Sequence, residues 1–80
     1  MKIPVIKKLV EIESNENLLK AEEALLNEES LEITVEGDDE GEQLTHIIAA
    51  RWIQEKMKED NMDFKAALRE YTKKVRESIN

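Results

Sequence analysis

The segment 40–58, EGEQLTHIIAARWIQEKMK, decides the fold. Leu44, Ile47, Ile48, Ala49 and Ala50 surround a helix axis almost completely, whereas later only Trp52, Ile53 and Met57 stay apolar, on one flank. A helix that is apolar all round has to be covered all round. In a chain of 80 residues that places this helix at the centre with the other elements wrapped around it, or it requires a second subunit. Asp39 followed by Glu42 fits a D-x-x-E cap, and the acids before it suit the positive end of the helix dipole.

Toward the N-terminus, Gly37 and a run of acids close a stretch in which Leu31, Ile33 and Val35 alternate with Glu32, Thr34 and Glu36. Period two is the mark of a half-buried extended chain. Such a chain must satisfy its backbone by pairing with the first segment, by pairing with a second copy, or by packing as an extended linker. All three stay open at this stage. Before it, ENLLKAEEALLNEE reads as a helix over 15–29, with Ser14 or Asn15 as N-cap and Leu18, Ala21 and Leu25 on one face, widened by Leu19 and Leu26. Glu22 falls inside that arc, as a rim carboxylate reaching water or as a buried functional acid. Pro4 suits a first helical turn, so 4–12 is expected as a short helix with Val5, Ile6, Leu9, Val10 and Ile12 on one side. A strand through Ile3, Val5 and Ile6 is the alternative.

Toward the C-terminus, EDN marks a connection, Asp63 caps a helix over 63–78 and Met62 is placed to staple against Ala67. Phe64, Ala67, Leu68, Tyr71, Val75 and Ile79 follow one continuous stripe, and Lys65, Arg69, Lys73 and Arg76 form a second stripe beside it. The expectation is a mainly α single domain spanning 1–80, with helices over 4–12, 15–29, 40–58 and 63–78, an extended segment at 31–36, and the third helix central.

A domain this small buries only about 60% of the surface its unfolded chain exposes, and such domains often lean on disulfides, metals or association. With no Cys and one His, neither a disulfide nor a nitrogen-ligand zinc site is available, which leaves association. No run approaches the roughly 18 apolar residues that span a bilayer, and the start MKIPVIKK is too short in apolar residues for a signal peptide, so a cytoplasmic setting is expected. The formal charge of −7 opposes attraction to phosphate backbones and anionic lipid. Residues 1–50 carry 4 Lys+Arg and 13 Asp+Glu for a net −9, while 51–80 carry 8 and 6 for a net +2. An acidic front and a basic back attract each other, within one chain or between two.

Chemistry finds little purchase. Read from Glu36 as a calcium loop, the acids at positions one, three and five and Gly41 at six agree, but position twelve, where a bidentate acid is needed, is Ile47. His46 is the residue suited to proton transfer near neutrality, yet it sits in the apolar THIIAA, with no Cys and with Ser14, Ser30 and Ser78 near helix or chain ends. A core-edge or interface histidine is the simpler reading. No catalytic, cofactor-binding or metal-ligating residue is expected. The basic stripe suits an acidic partner or nucleic acid, although stacking aromatics are scarce. Trp52 suits an interface hot spot or ordinary core packing.

The opening MKIPVIKKLVE, the central EGDDEGEQLTHIIAA and the closing ALREYTKKVRESI together resemble a family of small bacterial proteins of unknown function. The resemblance covers most of the chain and implies no activity, cofactor or catalytic residue. The reading that follows is a non-enzymatic cytoplasmic interaction module, homodimeric, with an interface drawn from Leu44, Ile47, Ile48, Trp52, Ile33 and Val35. The alternative is a binder of nucleic acid or an acidic protein through Lys65, Arg69, Lys73 and Arg76.

Overall fold

The computed structural model describes residues 2–79, the side chains of Ser78 and Ile79 excepted. The positions expected for those two side chains lie outside the described residues. The chain forms α1 (Ile3–Ile12), α2 (Asn15–Leu26), α3 (Glu40–Asp60) and α4 (Phe64–Ile79), with no strand among the described residues. This is the mainly α, four-helix arrangement the periodicity predicts.

The starts of α2, α3 and α4 are each set by a side chain that takes up a free N–H of the first turn, whereas α1 begins without a side-chain cap. Ser14 Oγ accepts from the Asn17 N–H at 3.1 Å, Asp39 Oδ1 from Glu42 at 2.8 Å, and Asp63 Oδ1 from Ala66 at 2.8 Å. Pro4 lies in the first turn of α1, so the strand alternative there is not taken.

The end of α2 departs from expectation. Residues 27–29 leave the helix because Glu28 adopts φ 57°, its N–H donating to Leu25 O at 3.2 Å and that of Glu29 to Ala24 O at 2.7 Å. This is a Schellman closure built on a glutamate, where glycine is usual. Asn61 ends α3 in the same left-handed region, φ 52°, where asparagine is well tolerated.

α3 is the hub: each of α1, α2 and α4 packs mainly against it. α1 runs alongside in the same direction, since Lys2 reaches His46 while Val10 and Glu13 reach Gln54. α2 runs the opposite way, with Asn15 bonded to Gln54 and Glu22 to Arg51, and α4 turns back so that Tyr71 meets Trp52, ring centroids 5.6 Å apart. The core is Ile6, Leu18, Ile47, Ala49, Ala50, Ile53 and Ala67, all fully buried, ringed by Val5, Leu9, Ala21, Val35 and Tyr71. Of the expected α1 face, Val10 is half-buried and Ile12 is exposed.

Residues 31–36 keep the alternation without a ladder. Leu31, Ile33 and Val35 turn inward and Glu32, Thr34 and Glu36 outward, while α3 side chains stand in for a neighbouring strand. Gln43 Nε2 donates to Val35 O at 2.9 Å and the His46 ring bonds Glu36 O at 2.8 Å. Within the chain, then, the segment packs as a linker and pairs with no part of α1. Gly37 follows because the chain passes tight against α3: a Cβ there would sit 2.8 Å from Gln43 Cγ and 2.9 Å from its backbone nitrogen.

Candidate interaction surface

Successive residues of a helix step by about 100° around its axis, which sorts α3 into sectors. Gln43, His46, Ala50, Ile53 and Gln54 face α1 and the extended segment. Arg51 marks the flank that α2 covers, through its 3.0 Å pair with Glu22. Trp52 marks the flank that α4 covers, through Tyr71. Between those two flanks lies an open sector in which Gly41, Thr45, Ile48, Glu55 and Glu59 are exposed and Leu44 is half-buried.

The covered sector is held by polar groups as well as by packing. His46 is fully buried. Its Nε2 lies 2.9 Å from the Lys2 backbone N–H, which can only donate, so Nε2 accepts, Nδ1 carries the hydrogen, and Nδ1 donates to Glu36 O. Both ring nitrogens are thus engaged by backbone. Gln54 Nε2 donates to Val10 O at 3.1 Å and Glu13 O at 2.6 Å, closing the end of α1. The sequence reading did not single out Gln43 or Gln54; their signal was a polar residue set within the apolar arc of a helix that the chain has to wrap. The carboxylate of Glu42 turns toward Lys2 Nζ at 3.9 Å and His46 Nε2 at 4.0 Å, its Oε1 buried without a hydrogen bond, so it does not close a reciprocal capping box. Glu22 occupies the rim, as one of the two readings had it, but in an ion pair with Arg51.

The open sector carries apolar residues that the described part of the chain covers only in part. Leu44, Ile48 and Trp52 stand four apart, so they form one row along α3. Ile48 is 43% exposed, and Leu44 and Trp52 are half-buried. Leu26, 64% exposed, stands one turn beyond Glu22 on α2, as Ile48 stands one turn before Arg51 on α3. The antiparallel helices therefore bring both to the same side of the ion pair. Lys56 extends the row, its ammonium 5.9 Å from the Trp52 ring centre and 2.8 Å from Asp60, whose hydrogen bond and charge raise the lysine pKa above the ordinary value.

The six residues expected at an interface thus divide. Ile47 and Val35 are buried by the chain's own core, which removes them from any surface. Ile33 is half-buried away from the row, against the core. Leu44, Ile48 and Trp52 remain together. Lys65, Arg69, Lys73 and Arg76 are all exposed on α4, and among the described residues none of them forms an ion pair. Two shallow grooves flank the extended segment, one of about 370 Å³ bordered by Asn17, Lys20, Asn27, Ser30 and Ile33, and one of about 340 Å³ bordered by Val5, Leu9, Ile12 and Thr34. Both are open to solvent; Glu23, Glu29 and Glu32 also border the first, and Lys8, Glu13 and Glu36 the second. No group of His, Cys, Asp and Glu among the described residues is arranged to hold a metal, and no described helix is long and apolar enough to cross a membrane.

The chain belongs to a family of unknown function, DUF6952, whose model matches residues 1–80. That is the kind of family its opening, central and closing segments resemble. No curated protein and no solved structure matches it.

Proposed function

We propose that this protein is a non-enzymatic cytoplasmic interaction module that acts as a homodimer, docking through the outward row of α3. The observation that carries the reading is the Leu44–Ile48–Trp52 row: an apolar stripe on the central helix in which Ile48 stays exposed and its two neighbours half-exposed after the other elements have packed against that helix. Contiguous apolar surface rimmed by polar residues marks interaction sites, where a singly exposed apolar residue does not, and an indole at its edge is a frequent hot spot. The non-enzymatic part draws support from His46, whose two ring nitrogens are occupied by backbone groups and have no free position from which to move a substrate proton. Sedimentation velocity at micromolar concentration tests the dimer. The expected species has twice the 9.3 kDa chain mass; a sharp, concentration-independent monomer ends this version.

One observation favours a second reading. The four unpaired cations of α4 offer a linear positive surface to an acidic protein or a nucleic acid. Binding of either at ~50 mM salt, weakened when Lys65, Arg69, Lys73 and Arg76 are changed to Gln, is its expected mark; no binding at that salt removes it.

A further inference from the structure

The row on α3 continues beyond its apolar part. Glu40, Leu44, Ile48, Trp52 and Lys56 are spaced by four throughout, so one ridge of the helix reads acid, apolar, apolar, apolar, base. Glu40 is exposed at the N-terminal end, and Lys56 keeps donors free beyond its contact with Asp60, since an ammonium has three. Such a ridge is self-complementary only when reversed. Laid parallel on its copy it sets acid against acid and base against base; laid antiparallel about Ile48 it sets Glu40 opposite Lys56 at both ends.

We infer that two copies join through α3 in an antiparallel crossing with Ile48 on the two-fold axis, Leu44 against the second copy's Trp52, and Glu40 at the rim facing the second copy's Lys56. This deepens the homodimer reading and rests on it. A two-fold interface uses the same patch on both subunits, so a residue on the axis meets itself and every other residue meets one equally far on the other side of the centre. Residues 44 and 52, and 40 and 56, are equidistant from 48. Two helices crossing at an angle diverge away from the crossing point, so the charged ends leave the contact and stay wet. There they set direction more than they add stability, each exposed pair contributing little. Gly41 and Glu55 are also symmetric about Ile48, and the absence of a side chain at Gly41 leaves room opposite the glutamate. A single ridge is a small interface, below the roughly 1,200 Å² at which standard-size complexes begin, which makes the dimer one that dissociates on dilution.

The chain has no cysteine, so single cysteines report the register directly. Disulfides need Cβ atoms about 3.5–4.5 Å apart. Under mild oxidation at a concentration where the wild type sediments as a dimer, Ile48→Cys is expected to cross-link to itself. Leu44→Cys and Trp52→Cys are each expected to cross-link poorly alone and efficiently when mixed. Self-cross-linking of Leu44→Cys and Trp52→Cys as complete as that of Ile48→Cys means a parallel pair and overturns the inference. So does a wild-type dimer in which Ile48→Cys fails to cross-link, an outcome that leaves the homodimer standing on another face. A monomeric wild type removes both and points to a different protein as the occupant of the row.

Discussion

Two faces of α3 carry side chains of the same kind and meet opposite fates. Ile47, Ala50 and Ile53 are fully buried, and His46 and Gln54 tie the same sector to α1. Leu44, Ile48 and Trp52, one to three residues from Ile47 or Ile53 along the same helix, have solvent on one side. Nothing in their chemistry separates the two sets. What separates them is that three neighbours do not suffice to encircle a helix, so the fourth sector stays open to solvent.

The largest test breaks the covered face. Ile53→Ala removes a fully buried branched side chain from the helix that every other element touches, and is expected to cost about 2–5 kcal/mol by denaturant titration. Loss of less than about 1 kcal/mol would mean that the face is looser than its burial implies. Next comes His46→Ala, which leaves the Lys2 N–H and the Glu36 carbonyl without their partner. About 2–3 kcal/mol is expected, together with faster amide exchange at Lys2. Substitution without effect on either would show that the ring does not hold the N-terminal end of α1.

Away from both faces, Glu28→Gly relieves a left-handed glutamate and should stabilise by about 0.5–1 kcal/mol. On the bare face, Ile48→Asp is expected to change monomer stability by no more than about 0.5 kcal/mol, while abolishing the dependence of Tm on protein concentration that a dimer confers. A large loss of monomer stability would place Ile48 in the core instead. Tyr71 sharpens the boundary between the faces, because it covers one side of Trp52. Burial raises its pKa above the ordinary 10.0. The neutral phenol is favoured in the fold, so its contribution is complete below that value and is lost as pH rises through the folded pKa. It is the only tyrosine, so its ultraviolet titration is unambiguous. The expected curve lies above that of the unfolded chain, and coincidence of the two would contradict the burial.

Much of this was legible in the residues. The helix starts follow from Ser14, Asp39 and Asp63, and the inward turn of Leu31, Ile33 and Val35 from their alternation. The length of α2 was not legible, because a Schellman closure on Glu28 carries no glycine to announce it. Nor was the means of satisfying residues 31–36, since the bonds from Gln43 and His46 join positions that only the fold brings together. The candidate interface was half legible. Periodicity shows that α3 is apolar on all sides but not which side its own chain will cover, so Ile47 and Val35 were grouped with residues that in fact stay outside.

Trp52 is the only tryptophan and stands at the edge of the bare row, which makes its emission a direct report on whether that row is covered. Dilution of the wild type from tens of micromolar to nanomolar is expected to shift the emission maximum to the red as a second copy leaves, with Ile48→Asp already at the red limit at every concentration. A wild-type spectrum unchanged across that range and identical to that of Ile48→Asp would contradict the claim that a second copy covers α3.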